Sequence, residues 1–425
     1  MTKSMKDRHG RPIVVVTGMG VVTSLGQGKE ENWTKLTGGQ SGIHTITRFP
    51  IEGLRTTIAG TVDFVPHDNA PDLTTKMAEL AGAEAVTEAG IGSEGSFPGP
   101  LFLGMPPVEM EWPQRQQLAK ASGKTEGITY ADLIKGAHSQ DFSSMQTRFL
   151  FGSVGDELAD RFGTTGAPIS ISTACATGAT AIQLAVEAIR RGETGAALVI
   201  GADGSANQES LVRFSLLSAL STRNEKPEAA ARPFAKDRDG FIMAEGAGAL
   251  VLESYDHAKA RGAKILGVVE GCGEMADSFH RTRSSPDGAP VIGCIRNALE
   301  DAGVTPADVQ YVNAHGTSTP ENDKMEYVGL AAVFGDHLSK IAVSSNKSMI
   351  GHTLSAAGAI EAVFTLMTID RGVIPPTINH SEADPAIGMD VVPNVARKAK
   401  VDRAISSSFG FGGQNVCLVL AREQA

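Results

Sequence analysis

A cysteine follows a short apolar run at a point where a strand would turn into a helix. Residues 171–179 read ISTACATGA, and the amphipathic residues 181–191 come just after them. This pattern predicts a strand, a tight turn and a helix. At such a junction Cys175 lies beside the unpaired N–H groups and positive dipole end of the helix, which favour a thiolate and bind an oxyanion. The pattern predicts a nucleophile, although it also fits a small cysteine packed beneath a helix.

Two histidines and a lysine follow other strand-like runs. His315 stands in VNAHGTSTP (residues 312–320), where turn residues end an apolar run. Lys347 and His352 stand five residues apart in VSSNKSMIGH (residues 343–352), at another strand-to-helix junction. Such strand ends face a cleft, so these side chains predict two more walls of one site. Taken singly, each histidine also fits a hydrogen-bonded structural residue, and the lysine a surface charge.

A fourth segment is rich in glycine and lies near the C-terminus. Residues 406–415 read SSSFGFGGQN and contain Phe409, Gly410 and Phe411. Glycines let the backbone approach a ligand, and the aromatic rings can pack over it. The segment also fits a simple Gly-rich turn. A phosphate cradle is not predicted, because the chain has no GxxxxGK[ST] and no ribose-binding acid at Rossmann spacing.

Composition limits the classes of function. The 425 residues are 41% hydrophobic and 20% charged and include 48 glycines, as in a compact globular protein. A formal net charge of -10 without a long Lys/Arg run opposes nucleic-acid or anionic-membrane binding, and an acidic partner would need a local basic patch. The four cysteines lack CxxC or metal-ligand spacing, so we expect reduced thiols and no metal. A polar start and no apolar run of about 18 residues predict a cytoplasmic protein.

The positioning elements occur as two copies. Residues 170–192 and 342–372 each read as strand, turn and helix, and superposing their closing Arg-Gly pairs places Cys175 opposite Ser355 and Gly178 opposite Gly358. Gly-rich starts of apolar strands recur at 246–253 and 412–420. The sequence therefore predicts an internal duplication, with an N-terminal half at 1–260 and a C-terminal half at 261–425.

Strands alternating with helical stretches predict an α/β protein with parallel strands covered by helices. The Ala- and Gly-rich residues 181–190 and 356–369 have little polar surface, so they predict helices buried between two sheets. Residues 91–153 differ, because five prolines interrupt their first part and no clear period follows. We interpret this region as an insertion or lid.

Several motifs in a fixed order resemble one family. TACATGA (173–179), LSTRN (220–224), HGTSTP (315–320) and KSMIGH (347–352) resemble the β-ketoacyl-acyl carrier protein synthases, the KAS I/KAS II group of elongating condensing enzymes in the thiolase superfamily. The resemblance is weak over 13–25 and strong over 167–421. It implies a thiolase-like α/β fold with a duplicated five-layer αβαβα architecture. The implied reaction is a decarboxylative Claisen condensation of malonyl-carrier protein with an acyl group held on a cysteine.

The resemblance also implies roles for individual residues. Cys175 accepts the acyl group, and His315 and His352 drive decarboxylation through hydrogen bonds to the enolate oxygen, with Lys347 and Glu361 as supporting residues.

Residues around the thiol receive implied roles as well. Phe411 gates acyl access within the loop that includes Phe409 and Gly410, and its N–H shares an oxyanion site with that of Cys175. Thr317 and Thr319 bind phosphopantetheine, although turn capping is their simpler interpretation, and Asp277 lies on a loop that moves with the gate. No cofactor is expected beyond the phosphopantetheine of the acyl carrier protein, and a homodimer is expected.

The chain departs from the family pattern before the nucleophile. Residues 101–112 (LFLGMPPVEMEW) and 130–151 lack the usual Gly-rich strand end and Pro-flanked aromatics of the segment that shapes the acyl pocket and dimer contact. We therefore hypothesise a long or specialised acyl chain, for a lipid or secondary metabolite.

Other interpretations remain. One is a polyketide-type ketosynthase that works with a partner subunit, and another is a noncatalytic carrier-binding scaffold. A thiolase would carry a second cysteine near the Gly-rich loop, a coenzyme-A-primed synthase would replace His315 or His352 by asparagine, and a chain-length factor would lack Cys175.

Overall fold

The computed structural model describes residues 5–92 and 95–423. Its strands are β1 Val14–Thr23, β2 Gly26–Gln27, β3 His44–Thr45, β4 Ile58–Ala59, β5 Leu101–Gly104, β6 Ile169–Ile171, β7 Ala196–Asp203, β8 Gly246–Ser254, β9 Gly267–Ala276, β10 Tyr311–Asn313, β11 Ala342–Ser344, β12 Val373–Ile374, β13 Arg397–Lys398, β14 Arg403–Phe409 and β15 Gln414–Ala421.

The α-helices are α1 Lys29–Thr37, α2 Ala70–Ala89, α3 Trp112–Ala121, α4 Tyr130–Ser139, α5 Ser143–Arg148, α6 Ser153–Phe162, α7 Thr177–Arg190, α8 Gln208–Leu216, α9 Tyr255–Ala260, α10 Ala289–Ala302, α11 Pro320–Phe334, α12 Lys347–Ile350 and α13 Ala357–Arg371. Short 3₁₀ turns connect several of them. Among the described helices, none combines the length and the apolar character needed to cross a bilayer.

The main sheet consists of two half-sheets with the same topology. The first has the strand order β6-β5-β7-β8-β1, and the second has the order β11-β10-β14-β15-β9. In the first, β5 runs parallel to β6 and β7, while β8 runs antiparallel to β7 and β1. In the second, β10 runs parallel to β11 and β14, while β15 runs antiparallel to β14 and β9. The chain passes to the second half between β8 and β9, and the exact boundary at residue 260 stays a prediction.

The half-sheets are joined along only one short edge. β1 pairs with β9 over Val14, Val15 and Val16. Elsewhere α7 and α13 lie between the halves: α7 packs on β7 and β15, and α13 packs on β8 and β14. Helices α2 and α6 cover the outer face of the first half, and α10 and α11 pack on the outside of the second. The predicted thiolase-like fold with five layers is therefore confirmed.

Small residues let the two central helices meet. A Cβ on Gly178 would lie 2.6 Å from the backbone nitrogen of Ala359, and a Cβ on Gly358 would lie 2.5 Å from that of Ala179. Only glycine permits so close a backbone approach. The reciprocal contact relates residues 180 positions apart, in the register in which the two sequence copies superpose.

The turn before each central helix is strained in the same way. Ala174 has φ 49° and Leu354 has φ 47°, so both occupy the left-handed region that disfavours residues with a side chain. Such residues cost about 1–3 kcal/mol each and persist where packing over-determines them. The repeat of this strain places Cys175 and Ser355 at equivalent positions in the two halves.

The prediction of an insertion or lid at 91–153 is wrong for residues 101–104. Leu101–Gly104 is the buried strand β5, which lies in the core sheet between β6 and β7. Four apolar residues among prolines gave too short a signal to identify a central strand. Helices α3, α4 and α5 of this region do lie at the surface, where Trp112, Tyr130 and Leu150 are exposed. Residues 93 and 94 lie outside the described residues.

Candidate active site

Cys175 occupies the turn between β6 and α7. The side chain of Thr177 closes this turn, since its Oγ1 accepts a hydrogen bond from the N–H of Thr173 at 2.8 Å and donates one to the carbonyl of Ala174. Only 8% of Cys175 is exposed. Burial raises the pKa of the thiol to about 11, and a hydrogen bond from the Phe411 N–H and the nearby Lys347 charge offset this only in part. Desolvation of the anion thus opposes the thiolate that the N–H groups and the dipole at the start of α7 favour.

Two backbone N–H groups lie beside the sulfur. The Phe411 N–H donates to the Cys175 sulfur, and the N–H of Cys175 itself donates to no acceptor within the described part of the chain. Gly410 makes this approach possible, since a Cβ there would lie 3.3 Å from the Cys175 nitrogen and 3.1 Å from the Thr173 oxygen. Paired donors of this kind stabilise an oxyanion on a carbonyl that the sulfur attacks.

The two predicted histidines meet at the same thiol. The Cys175 Sγ and one ring nitrogen each of His315 and His352 lie within 4.8 Å of one another. The rings meet edge to face, with centroids 5.2 Å apart and an interplanar angle of 86°. These atoms are also a set that can ligate a metal ion, but the sequence predicts none there.

Both histidines are held in the neutral form. Burial is the largest cause that lowers the pKa of each ring well below its ordinary value, and the charge of Lys347 lowers both further. The second ring contributes to the shift at His315. At neutral pH each imidazole therefore has one N–H donor and one acceptor nitrogen.

Neighbouring donors select the tautomer of each ring. The Leu354 N–H donates to Nδ1 of His352 at 3.3 Å, and the Lys347 ammonium lies 3.5 Å from Nδ1 of His315. Because Nδ1 is the acceptor in both cases, the hydrogen is on Nε2. The Nε2 of His352 is buried and has no hydrogen-bond partner among the described residues. This site therefore has an unused donor next to the thiol.

A buried ion pair holds the lysine in place. Lys347 begins α12 and donates to Glu361 on α13, and both side chains are almost fully buried. Burial raises the pKa of Glu361 to about 7, while the attraction of Lys347 opposes the shift. Glu361 thus compensates a charge that must stay beside His315. Neither residue lines the cavity, so both act from behind the histidines.

Two further acids position the loop of His315. Glu326 accepts the N–H groups of His315 and Gly316, each at 2.7 Å, and Asp323 accepts those of Ser318 at 3.2 Å and Phe234 at 2.8 Å. Burial raises the pKa of Glu326 to about 7 and that of Asp323 to about 6. Both acids project from α11 and hold a buried backbone loop by accepting its N–H groups. Their role is therefore structural.

A cavity of about 340 Å³ connects these groups with the surface. The predicted site residues that line it are Cys175, Asp277, His315, Thr317, Thr319, His352, Phe409, Gly410 and Phe411. Apolar residues that were not predicted from the sequence also form its wall, among them Phe214, Leu217 and Phe241. The apolar spacing along α8 was the one available signal for Phe214, and it does not separate a cavity wall from ordinary core.

The two threonines and the gate loop both line this cavity. The hydroxyls of Thr317 and Thr319 share a hydrogen bond of 2.9 Å, and Thr319 also caps α11 by accepting the Asn322 N–H at 3.3 Å. The predicted capping is therefore observed for Thr319, and both threonines also line the cavity. At the gate loop, the Asp277 N–H donates to the Gly413 carbonyl at 2.7 Å.

The atypical segment before the nucleophile acts at a distance. None of the described residues between 91 and 153 lines the cavity. The segment instead supports α8 from outside: Glu109 pairs with Arg213 at 2.8 Å, and the Trp112 N–H donates to Glu209. Within one chain it can alter the cavity through α8, whose C-terminal end supplies Phe214 and Leu217, and through β5, where Gly104 packs against Thr177 in the turn of Cys175.

Comparisons with known proteins agree with this geometry. The family model "Beta-ketoacyl synthase, N-terminal domain" matches residues 11–88 and 117–258, and "Beta-ketoacyl synthase, C-terminal domain" matches 266–381. The 3-oxoacyl-[acyl-carrier-protein] synthase 2 of Coxiella burnetii is 38% identical, over 96% of this chain and 98% of its own length.

Polyketide proteins are similar as well. The tetracenomycin polyketide synthase ketoacyl synthase alpha subunit of Streptomyces glaucescens is 33% identical, over 98% of each chain. Among solved structures, a type II polyketide synthase acyl carrier protein in complex with its ketosynthase, bound to the hexaketide, has a TM-score of 0.87 and 32% identity, over 97% of this chain and 100% of the other.

Proposed function

The chain belongs to the beta-ketoacyl synthase family, and from that premise we propose how its residues carry out the reaction of a β-ketoacyl-acyl carrier protein synthase. The enzyme is an acyltransferase that condenses an acyl group with a malonyl unit. The observation that carries the residue roles is the meeting of the Cys175 sulfur and two neutral histidine rings within 4.8 Å in one cavity.

The first step transfers the acyl group to Cys175. The sulfur attacks the thioester carbonyl of the acyl-carrier, the Sγ–C bond forms, the carbonyl-to-pantetheine C–S bond breaks, and the thiol proton ends on the departing pantetheine thiol. The Cys175 and Phe411 N–H groups bind the oxyanion that forms on the way. Because burial raises the pKa of the thiol to about 11, the anion forms only as it attacks.

The second step forms the carbon–carbon bond. A malonyl thioester loses carbon dioxide, and its carbonyl oxygen becomes an enolate that accepts the Nε2–H groups of His315 and His352. The enolate carbon attacks the acyl carbonyl on Cys175, the Sγ–C bond breaks, and the thiolate takes a proton to restore the thiol. Neutral imidazoles suit this role, because each Nε2–H stabilises the enolate oxygen by a hydrogen bond without giving up its proton. No resident cofactor takes part.

The substrates arrive on an acyl carrier protein, whose phosphopantetheine arm reaches Cys175 past Thr317 and Thr319. We further propose a homodimer joined at the free edge of β6. Ile169 on that strand is 42% exposed and Leu150 nearby in sequence is 52% exposed, and unpaired strand edges favour pairing between chains. The four free cysteines support a reducing, cytoplasmic location.

The acyl chain is the least defined substrate. Cys175 packs in an apolar cluster with Leu211, Phe241 and Met243, and Phe214 lies against it. An acyl chain on the sulfur would enter this cluster. The proposal of a long or specialised chain rests on the atypical segment that supports α8.

Purified protein offered a series of acyl-carriers tests the function and this preference together. Mass spectrometry should detect the acyl group on Cys175 and a 3-oxoacyl-carrier product after malonyl-carrier is added. Equal turnover of ordinary medium-chain substrates would contradict the specialised chain. No acyl-Cys175 with any chain would contradict the proposed mechanism.

A polyketide-type ketosynthase that needs a partner subunit is the second candidate. The 33% identity to an alpha subunit of a polyketide synthase favours it. Condensation by the purified chain alone would decide against it, since a subunit that depends on a partner would stay inactive.

A further inference from the structure

Two arginines at the mouth of the active-site cavity have no acidic partner in the described part of the chain. Arg281 and Arg283 both line the cavity and are exposed, and neither forms an ion pair or a side-chain hydrogen bond with any residue that the structure describes. Most other arginines with exposed side chains pair with an acid, as Arg213 does with Glu109. In a chain of net charge -10, this rim is a local basic patch.

The backbone that carries these arginines is tied down. Asp277 is buried, and its carboxylate accepts the Phe279 N–H at 2.9 Å and the Ser285 N–H at 2.7 Å, which closes residues 277–285 into a loop. The Arg281 carbonyl accepts the Gly412 N–H at 2.7 Å, which fixes the loop against the gate. The two guanidinium groups therefore extend from a fixed base at the rim.

The other charges of the mouth leave the arginines free for a ligand. Asp239 accepts the Thr222 N–H at 3.3 Å and lies 3.6 Å from Arg223. Glu321, in the first turn of α11, also lines the cavity and forms no ion pair among the described residues. The remaining wall near the opening is apolar at Leu217. Anion binding is thus confined to the side of the rim that carries residues 281–283.

We propose that Arg281 and Arg283 bind the phosphate of the phosphopantetheine arm while its thioester lies at Cys175. This inference rests on the proposed function, which brings that arm through this opening. The phosphate is the one anionic group on an otherwise neutral arm, and guanidinium groups bind phosphate oxygens with paired hydrogen bonds. Thr317 and Thr319 line the cavity wall deeper in, where only the neutral part of the arm passes.

The test compares three carriers of the same acyl and malonyl groups. These are the carrier protein, free phosphopantetheine, and pantetheine without phosphate, each assayed with the unchanged enzyme, Arg281→Ala, Arg283→Ala and the double variant. We expect KM to rise roughly tenfold in each single variant for the two phosphorylated carriers, with kcat little changed. KM for unphosphorylated pantetheine should stay the same. Arg191→Ala is the matched control, because Arg191 is exposed at the far end of α7 and pairs with Glu193.

The three carriers distinguish the possible roles of the two arginines. An equal loss with all three carriers would show that the arginines act on the fold of the gate, and a loss with the carrier protein alone would show that they contact the protein surface of the carrier; either result overturns the proposal. Thermal unfolding of each variant detects a collapsed loop. If the unchanged enzyme condenses none of the three substrates, the proposed function fails instead.

Discussion

At the scale of single residues, the nucleophile and the histidine hydrogen-bond donors take part in different steps of the proposed reaction. Cys175 is a buried thiol that accepts the Phe411 N–H, while its own N–H donates to none of the described residues, and His352 has a buried Nε2 without a partner among them. In the proposed mechanism the first arrangement serves acyl transfer, and the second serves decarboxylation. These half-reactions can therefore be separated by substitution.

Cys175→Ala should abolish acyl transfer and condensation, by roughly 10³-fold or more, because the sulfur that would accept the acyl group is lost. Release of carbon dioxide from malonyl-carrier should continue, because both histidines remain. Acyl labelling by mass spectrometry and carbon dioxide release measure the two half-reactions. Unchanged condensation would instead support the noncatalytic scaffold.

His352→Asn should show the opposite pattern. Loss of one enolate donor should slow decarboxylation and condensation by roughly 10²–10³-fold, while acyl labelling of Cys175 persists. Single-turnover acylation and carbon dioxide release measure the difference. A variant that loses both half-reactions equally would assign the ring to acyl transfer as well.

The same substitution should change how stability depends on pH. Burial lowers the pKa of His352 below its ordinary value of 6.5, so below pH 6.5 the unfolded chain binds a proton that the folded chain does not. The folded state therefore loses about 1.4 kcal/mol per pH unit from this group as pH falls below 6.5. Denaturant unfolding at pH 5.5, 6.5 and 7.5 should show a shallower decline in His352→Asn. Equal slopes would mean that His352 is protonated in the folded protein.

At the scale of elements, the contact between α7 and α13 positions the chemistry. α7 begins two residues after Cys175, and α13 carries Glu361, which holds Lys347 beside His315. The close approach at Gly178 and Gly358 brings both helix starts to one place. A change in this contact should affect stability first, because backbone atoms form it.

Gly358→Ala should lower the free energy of unfolding by about 1–3 kcal/mol, although alanine favours helices, because its Cβ would lie 2.5 Å from the Ala179 nitrogen. Gly152→Ala is the matched control, since no atom lies within 4 Å of a Cβ there and its φ is -75°. Denaturant unfolding compares the two. Equal effects would show that the helices can move apart at little cost.

At the scale of the whole molecule, the interface of the proposed homodimer is the free edge of β6. The strand is the last of its half-sheet, and α6 separates it in the chain from the atypical surface region of α3, α4 and α5. A homodimer through this edge would cover the exposed Ile169 of both chains.

Ile169→Asp should shift the protein from dimer to monomer, because a charge on an edge strand opposes pairing between chains. Light scattering after size-exclusion chromatography measures the mass of the particle. Val395→Asp is the matched control, since Val395 is exposed and lies outside β6. A dimer that persists in Ile169→Asp would place the interface elsewhere.

Several parts of this protein follow from local sequence. The types and turn chemistry of Cys175, His315, Lys347 and His352 predict a cleft of strand ends, and the repeated strand, turn and helix predict a duplicated α/β fold. These inferences work because hydrophobic period and turn residues act over a few neighbouring positions. Strand β5 was missed for the same reason, since four residues are too few to show a period.

Only the tertiary structure decided the protonation states and tautomers of the reacting groups. Desolvation, which makes Cys175 a thiol and both histidines neutral, depends on burial by residues far away in the chain. The tautomers depend on Lys347 and the Leu354 N–H, and the loop of His315 depends on Glu326. That Arg281 and Arg283 lie at the cavity without an ion pair among the described residues is likewise visible only in the folded chain. Protonation, tautomer and charge compensation are properties of contacts in space, so a linear pattern cannot specify them.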